Sequence, residues 1–314
     1  MPQIAFMFPG QGSQQVGMGQ EFYDEFPDVQ AIFQQANKTL KKDLQTLMLQ
    51  GPQEELTETE NAQPALLLSS YIVLSLLAKE NIHPTMAVGH SLGEYSALVA
   101  AGALTLDDAL SLVQRRGQLM EQAFPKGQGT MAAVLGMNED EIAETLKNLP
   151  AEEIVDIANL NCPGQIVISG TQAGVEQAIP LLNDAGARRV IPLNVSGPFH
   201  SRLMKQANEE FSQALANTNF QTGKIPVYAN VTAEPVTDEK TIKNLLQQQM
   251  YSPVRFEQSI KNMIAAGVDV FVEVGHGRVL SGLVRKIDRH VHTFSIQDIK
   301  SLNKFINWYK EATM

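Results

Sequence analysis

The chain contains only one cysteine, Cys162, among 314 residues, and it has less positive than negative charge. A single cysteine excludes an internal disulfide, disfavours a cysteine-based metal site and is typical of a reducing compartment. Lys and Arg number 24 against 34 Asp and Glu, which gives a formal net charge of -10. We therefore expect no nucleic-acid partner, because contact with phosphates needs a basic surface.

Signals for export or membrane insertion are also scarce. No basic segment precedes the first apolar strand, and serines interrupt the longest apolar run, residues 64–78. That run is short for a membrane span, so we predict a buried helix there. With 44% hydrophobic and 18% charged residues, the sequence predicts a sizeable core, a cytoplasmic location and no membrane partner.

The sequence does contain a regular alternation of apolar strands and helices. Residues 4–8 form a continuous apolar run, typical of a central parallel strand, and a glycine-rich loop follows over residues 9–14. Open α/β sheets bind ligands at this carboxyl end of their strands. The alternation predicts an α/β fold with a parallel sheet. Further elements are predicted at 25–38, 41–50, 62–80, 92–101 and 106–122 (helices) and at 86–88 (strand).

A different pattern occupies residues 127–195. Its segments follow one another in the order β-α-β-β-α-β, which is the order of a ferredoxin-like unit. We predict that this small subdomain is inserted into a larger α/β domain formed by residues 1–126 and 196–314. After the insertion, helices are predicted at 202–217, 238–249, 255–266 and 278–287, and strands at 226–230, 270–274 and 292–296. A final helix follows the last strand and ends at about 312.

The pentapeptide Gly-His-Ser-Leu-Gly at residues 89–93 lies between an apolar strand and a helix-forming segment. Strand, sharp turn and helix together form a nucleophile elbow, in which a strained serine is presented at the start of a helix. Gly89 and Gly93 are expected to be necessary because a side chain at either position would collide with the neighbouring strand or helix. The alternative is a glycine-rich turn with an incidental serine, but its strand and helix context favours Ser91 as a nucleophile.

A nucleophilic serine needs a base, and the chain has six histidines. His200 lies in a Gly-Pro-Phe-His loop after the predicted subdomain and directly before a helix, a position suited to catalysis. His90 adjoins Ser91, but neighbouring side chains diverge across a tight turn, so we expect His90 to be structural. No acidic residue is a convincing third member of a Ser-His-Asp triad.

Five motifs stand in the order and at the spacings of a known family. They are FPGQGSQ at 8–14, NAQPA at 61–65, GHSLGE at 89–94, QRRG at 114–117 and GPFHS at 197–201. Over essentially its whole length the chain resembles the malonyl-CoA:acyl carrier protein transacylases of fatty acid synthesis. The resemblance implies an α/β-hydrolase-like large domain with the inserted ferredoxin-like subdomain, and an enzyme without a metal or cofactor. The short termini favour a free-standing enzyme over an acyltransferase domain of a polyketide synthase.

The resemblance also implies how the reaction would proceed. Ser91 would carry the malonyl group as an ester, and His200 would move protons for CoA and for the phosphopantetheine thiol of holo acyl carrier protein. The backbone N–H groups of Gln11 and Leu92 would form the oxyanion hole. The backbone carbonyl of Gln249 would orient the imidazole in place of an acid, although two preceding glutamines leave that register open.

Recognition of malonyl-CoA is implied in the same way. Arg116 would grip the free carboxylate through two parallel hydrogen bonds, although taken alone it would be interpreted as a surface arginine beside Arg115. Gln63 would contribute to substrate binding. The shape around Phe199 would decide between malonyl and methylmalonyl groups.

The acyl carrier protein is acidic, so this acidic chain must attract it locally. The basic pairs Arg188-Arg189 and Arg285-Lys286 are the candidates for that contact, although each pair taken alone is typical of a solvated surface. We expect the protein to be a monomer. His276 stands where the family usually has proline, and we assign it no role.

Two other functions remain alternatives at the level of sequence. An α/β-hydrolase-like esterase or thioesterase would share the elbow, but it would need an acid between Ser91 and His200 in the chain and would have no use for Arg116. A catalytically silent module that binds carrier protein would not need a complete set of site residues. Release of free malonate would identify the hydrolase, and absence of any acyl adduct would identify the silent module.

Overall fold

A computed structural model describes residues 2–125 and 127–313 of the chain. Its strands lie near the predicted positions, because continuous or alternating apolar segments identify buried strands well. In chain order they are β1 (Ile4–Phe8), β2 (Met86–Gly89), β3 (Gly129–Leu135), β4 (Val155–Cys162), β5 (Gln165–Thr171), β6 (Arg189–Pro192), β7 (Val227–Tyr228), β8 (Pro235–Val236), β9 (Val270–Val274) and β10 (His292–Ile296).

The helices lie between these strands, singly or in groups of up to five, and one follows the last strand. They are α1 (Gln20–Glu25), α2 (Pro27–Leu40), α3 (Leu44–Gln50), α4 (Gln53–Thr57), α5 (Thr59–Lys79), α6 (Gly93–Ala100), α7 (Leu106–Gln122), α8 (Glu139–Leu146), α9 (Gln172–Asp184), α10 (Asn208–Asn217), α11 (Glu239–Gln249), α12 (Phe256–Ala265), α13 (Val279–Ile287) and α14 (Ile299–Thr313). A 3₁₀ helix, Arg202–Ala207, precedes α10 and replaces the first part of the single helix predicted over 202–217.

The larger sheet has the strand order β10-β9-β1-β2-β7-β8. Its strands run parallel except β8, which pairs antiparallel with β7, so the sheet is mixed rather than wholly parallel as predicted. Sequence periodicity could not reveal β8 because the strand is only two residues long. The central strands β1 and β9 are buried along their whole length, which explains their continuous apolar sequences.

The smaller sheet has the strand order β4-β5-β3-β6, and every pair within it is antiparallel. Helices α8 and α9 pack on this sheet through a separate apolar cluster that includes Ile142, Ile168, Val175 and Leu182. Beyond that cluster, β4 is joined to the larger part of the fold by hydrogen bonds between Leu160, Val254 and Ala158. These bonds fix the small sheet against the segment that precedes α12.

The long apolar run forms part of α5, a 21-residue helix that starts at Thr59, three residues before the predicted position. Among the described residues, α5 is the helix whose length and composition would allow it to cross a membrane. However, 78% of its most apolar window is buried inside the fold. The helix packs against α7 and α6, so its apolar residues belong to the main core, as predicted.

The turn between β2 and α6 tolerates no side chain at its glycines. A Cβ atom at Gly89 would lie 1.8 Å from the carbonyl carbon of Gly93, and one at Gly93 would lie 2.0 Å from the carbonyl oxygen of Phe8. The helix can therefore approach the end of the strand only if both positions are glycine. This agrees with the clash predicted from the sequence.

We expect Gly93→Ala to lower the free energy of unfolding by about 3 kcal/mol, because backbone atoms must move to make room for the methyl group. Urea unfolding measures this change. Gly282→Ala is the matched control, since a Cβ at this helical glycine meets nothing within 4 Å. The control is expected to gain about 0.5 to 1 kcal/mol from helix propensity. Equal stability of the two variants would contradict the steric explanation.

Candidate active site

Ser91 lies in a sharp turn between β2 and the first turn of α6. Its φ angle is 52°, a left-handed conformation that costs a non-glycine residue energy and is maintained by the surrounding structure. Asn230, at the carboxyl end of β7, fixes the turn: its Oδ1 accepts the N–H of Ser91 at 2.8 Å and its Nδ2 donates to the carbonyl of Gly89 at 2.7 Å. The predicted elbow geometry is therefore present.

The backbone N–H groups of this turn are occupied except at one position. The N–H of Gly93 donates to the carbonyl of His90, and that of Glu94 donates to the carbonyl of Ser91. Within residues 2–125 and 127–313, no acceptor takes the N–H of Leu92 or that of Gln11 in the glycine-rich loop. Two free donors beside a nucleophile are what stabilisation of an oxyanion requires.

The predicted base is in direct contact with the serine. The Nε2 atom of His200 lies 2.7 Å from the Oγ of Ser91, and Nδ1 lies 2.8 Å from the backbone oxygen of Gln249. A carbonyl accepts only, so the proton must be on Nδ1, and Nε2 is left to accept the proton of the serine hydroxyl. His200 also has a positive φ angle of 60°, so the loop holds it in an unusual conformation.

Burial, followed by the positive charge of Arg116, lowers the pKa of His200 to about 3. The neutral base is therefore the form present at every pH above that value. In histidine-selective nitrogen-15 NMR, we expect the His200 imidazole to stay neutral and Nδ1-protonated between about pH 8 and about pH 5. The His200→Gln spectrum assigns the signal. Titration of this signal with a midpoint near the ordinary value of 6.5 would contradict the electrostatic account.

Arg116 is buried, with 1% of its surface exposed, so its interpretation as a surface residue is wrong. Nη2 donates to the Oγ of Ser91 at 3.1 Å and to the Oε1 of Gln249 at 2.9 Å, while Nη1 donates to the Oε1 of Gln63 at 2.8 Å. The guanidinium carbon lies 5.4 Å from the ring centre of Tyr95. Burial lowers the pKa of Arg116, but an arginine starts so high that the group stays charged.

Arg115 shows by contrast what a surface arginine does here. It is substantially exposed and pairs with Glu210 on α10. Arg116, about 100° further around the same helix, α7, points toward the nucleophile. Adjacent residues of one helix therefore have different environments: Arg115 forms a solvated ion pair, and Arg116 places a positive charge at the candidate catalytic site.

A cavity of about 710 Å³ opens at Ser91, where the glycine-rich loop of the large sheet faces the small sheet. Gln11, His200 and Phe199 line it together with Ser91. Gln63 is fully buried and accepts a hydrogen bond from the Nη1 of Arg116, which helps to hold the guanidinium in place. The structure thus brings the predicted site residues together, with Leu92 contributing through its backbone.

His90 points away from the catalytic group. Its Nε2 lies 2.8 Å from the Oδ1 of Asn161, and its ring packs 5.7 Å from that of Phe256. These contacts are structural, as expected from the divergence of side chains across the turn. His276 is half-buried, burial lowers its pKa, and it lies outside the cluster around Ser91.

Two buried polar residues of this site, Glu94 and Asn230, were not predicted from the sequence. Glu94 accepts hydrogen bonds from the Nε2 of Gln249 at 2.7 Å and from the N–H of Asn230 at 3.1 Å. Burial raises the pKa of Glu94 to about 7. The available signals were a lone carboxylate in the first turn of an otherwise apolar helix and an asparagine at the carboxyl end of a buried strand.

Comparisons with known proteins agree with this geometry. Residues 5–307 match the acyl transferase domain family. The chain is 49% identical over 99% of its length to a malonyl CoA-acyl carrier protein transacylase of Bacillus subtilis, covering 98% of that protein. It is 46% identical over 97% of its length to the protein of the same name in Staphylococcus aureus, covering 99% of it.

Solved structures give the same result. The crystal structure of an acyl carrier protein S-malonyltransferase from Vibrio cholerae has a TM-score of 0.94 and 41% identity, covering 96% of this chain and 99% of the other. A malonyl-transacylase in complex with its type II polyketide synthase acyl-carrier protein has a TM-score of 0.95 and 38% identity, covering 97% and 99% of the two chains. This chain therefore belongs to the family of malonyl CoA-acyl carrier protein transacylases.

Proposed function

We propose that this enzyme transfers a malonyl group from malonyl-CoA to the phosphopantetheine thiol of acyl carrier protein, for fatty acid biosynthesis. The observation that carries the proposal is the environment of the Ser91 hydroxyl. It lies 2.7 Å from a neutral imidazole and 3.1 Å from a buried guanidinium. A serine nucleophile with a base on one side and a fixed cation on the other suits an acyl donor that carries its own negative charge.

The first half-reaction loads the enzyme. His200 takes the proton of Ser91 as Oγ attacks the thioester carbonyl, and the N–H groups of Leu92 and Gln11 stabilise the oxyanion. The carbon–sulfur bond then breaks, and the imidazolium returns the proton to the departing CoA sulfur. The products are a seryl malonyl ester and free CoA, so no proton is gained or lost in the exchange.

The second half-reaction runs the same steps with a different thiol. His200 removes the proton of the phosphopantetheine thiol, the sulfur attacks the ester, and the proton returns to the Oγ of Ser91. Thioester exchange needs a weaker base than amide hydrolysis, so the backbone carbonyl of Gln249 suffices to orient the imidazole. These steps use side chains and backbone of this chain, without a metal or cofactor.

Arg116 selects the acyl group in this proposal. The malonyl carboxylate takes up the hydrogen bond that the guanidinium directs at the Oγ of Ser91, while Gln63 and Gln249 hold the guanidinium in place. Phe199 borders the acyl pocket and limits branching next to the thioester. Acetyl-CoA lacks the carboxylate and leaves the buried charge without a counter-ion.

Carrier protein docking is best supported at helix α13. Leu280 and Leu283 of this helix line the cavity, and the exposed pair Arg285-Lys286 follows them. The Nζ of Lys286 donates to Gln165, which also lines the cavity. The second basic pair, Arg188-Arg189, is exposed too, but it lies outside the cavity lining. An acidic partner guided by α13 would deliver its thiol directly to Ser91.

We also propose a domain organisation, a cellular location and an oligomeric state for the enzyme. The elbow after β2 supports an α/β-hydrolase-like large domain over 1–126 and 196–314, and the strand order of the small sheet supports a ferredoxin-like subdomain over 127–195. Positions 1, 126 and 314 lie outside the described residues. We propose a cytoplasmic monomer without nucleic-acid or membrane partners.

Incubation of the enzyme with radiolabelled malonyl-CoA and holo acyl carrier protein tests the function. We expect label on the holo carrier protein and none on the apo form, which lacks the thiol and is otherwise the same protein. Release of free malonate without carrier protein would identify a thioesterase instead. Absence of both label transfer and malonate release would leave a silent binding module.

A further inference from the structure

Glu94 is a buried carboxylate that the steps above do not use, although it lies within the same hydrogen-bond network. We propose that Glu94 is a positioning residue and the internal counter-ion of the malonyl site. It aligns the Gln249 amide toward Arg116, and it takes up a proton when a malonyl carboxylate binds there. This inference rests on the proposed role of Arg116 in binding that carboxylate.

The alignment follows from the donors and acceptors around the Gln249 side chain. Arg116 only donates, so it requires the Oε1 of Gln249, which lies 2.9 Å from Nη2. On the other side the ionised Glu94 only accepts, and its Oε2 lies 2.7 Å from the Nε2 of Gln249. The backbone oxygen of Ser91 accepts from the same Nε2 at 3.0 Å. These contacts determine one amide orientation and couple Glu94 to Arg116 through a single side chain.

The same residue connects Glu94 to the base. While its side chain bridges Glu94 and Arg116, the backbone oxygen of Gln249 accepts the Nδ1 proton of His200. Gln249 is the last residue of α11 and is fully buried, so its side chain and its carbonyl are both held within the packed interior. A correctly held Gln249 therefore positions the guanidinium and the imidazole at once.

The charges around Glu94 explain the coupled proton. Arg116 on α7 is the charge that favours the ionised carboxylate. Tyr95, on the same helix as Glu94, stays protonated because burial raises its pKa, and His200, beyond the Gln249 amide, is neutral. A malonyl carboxylate brings a second negative charge to the one arginine. Two buried carboxylates sharing one cation do not both stay ionised, so Glu94, with its pKa already raised by burial, takes the proton from water.

This coupling predicts pH-dependent discrimination between malonyl-CoA and acetyl-CoA. Above the pKa of free Glu94, malonyl binding must include proton uptake and weakens by up to about tenfold per pH unit. Acetyl-CoA brings no second carboxylate and shares the CoA moiety, so the ratio of the two dissociation constants isolates the acyl group. Binding is measured in the Ser91→Ala enzyme, which cannot react, between about pH 6 and about pH 8.5.

We expect the malonyl preference of the Ser91→Ala enzyme to fall by up to about 30-fold across this range, because about 1.5 pH units lie above the Glu94 pKa of about 7. Adding Glu94→Gln keeps an acceptor for Gln249 but removes the charge. The malonyl preference should then not change with pH, and it should equal the value that the Ser91→Ala enzyme has at low pH. Glu94→Leu removes the acceptor as well, and the preference should be lower at every pH. Glu273→Gln is the matched control, because Glu273 is also fully buried with a raised pKa but bonds to Leu280 and Ser281 instead. It should retain the pH dependence.

A level profile in the enzyme that retains Glu94 would overturn the proposal, even if no Glu94 variant could be purified. The proposal would also be overturned if malonyl preference fell equally with pH in the enzymes with and without Glu94→Gln, because the pH dependence would then come from another group. If neither enzyme prefers malonyl-CoA over acetyl-CoA at any pH, Arg116 does not recognise the carboxylate, and the proposal for Glu94 is overturned with it. In that case transfer to holo carrier protein still tests the proposed function separately.

Discussion

A Ser91→Ala enzyme is expected to form no malonyl ester and to lose malonyl transfer by a factor of at least about 10³. The attacking atom is absent, and among the described residues no other hydroxyl hydrogen-bonds to both His200 and Arg116. Transfer is measured by the movement of label from malonyl-CoA to holo carrier protein. Binding of malonyl-CoA should persist, because the cavity and Arg116 are retained.

Ser13→Ala provides the control for this loss. Ser13 lines the same cavity and its hydroxyl bonds to the carbonyl of Gly10, but it has no contact with His200. We expect this variant to retain transfer within about threefold of the parent enzyme, as is usual for a partly exposed hydroxyl. Substantial transfer by Ser91→Ala would mean that the malonyl group passes directly between the two thiols or through another residue.

Arg116→Ala is expected to lower kcat/KM for malonyl-CoA by about 10²- to 10³-fold, equivalent to about 3–4 kcal/mol. The buried guanidinium is the positive charge next to the Ser91 Oγ, and its loss leaves the malonyl carboxylate desolvated without a partner. Acetyl-CoA has no such group, so its loading should change much less. The ratio of kcat/KM for malonyl-CoA to kcat/KM for acetyl-CoA should therefore fall steeply. It is measured from the rates of acyl-enzyme formation in acid-quenched reactions.

Arg115→Ala is the matched control, since it removes the adjacent arginine of the same helix. Arg115 is partly exposed and pairs with Glu210 at the surface, an arrangement that contributes little to stability or catalysis. We expect its kinetic constants to remain close to those of the parent enzyme. Equal losses for malonyl- and acetyl-CoA in Arg116→Ala would show that Arg116 supports the fold or Ser91 instead of recognising the carboxylate. Thermal unfolding of each variant separates those two cases.

The elbow was predictable because its constraints are local. A buried strand, a glycine on either side of Ser91 and a helix restrict the backbone so strongly that five residues indicate the geometry. The small sheet was predictable for a similar reason, since β3 to β6 each carry their own apolar pattern. The helix predicted at 25–38 corresponds to α2, which begins at Pro27 because proline suits the first position of a helix, whereas the short helix α1 before it was not predicted.

The burial of Arg116 was not predictable from composition or periodicity. Helical spacing places Arg115 and Arg116 on different faces, but only the tertiary fold determines which face meets the nucleophile. The hydrogen-bond network of Glu94, Asn230 and Gln249 is even harder to predict from the sequence. In two of its three pairs, the residues are separated by more than a hundred positions in the chain. Such networks arise from the packing of α6, β7 and α11 and leave little trace in any one segment.

The central claim is that a malonyl ester on Ser91 links the two half-reactions. Peptide mapping by mass spectrometry, after brief incubation with malonyl-CoA and quenching in acid, tests it most directly. We predict one malonyl group on the peptide containing Ser91, and its disappearance when holo carrier protein is added before the quench. Transfer without an adduct, or a malonyl group mapped to another residue, would contradict the account.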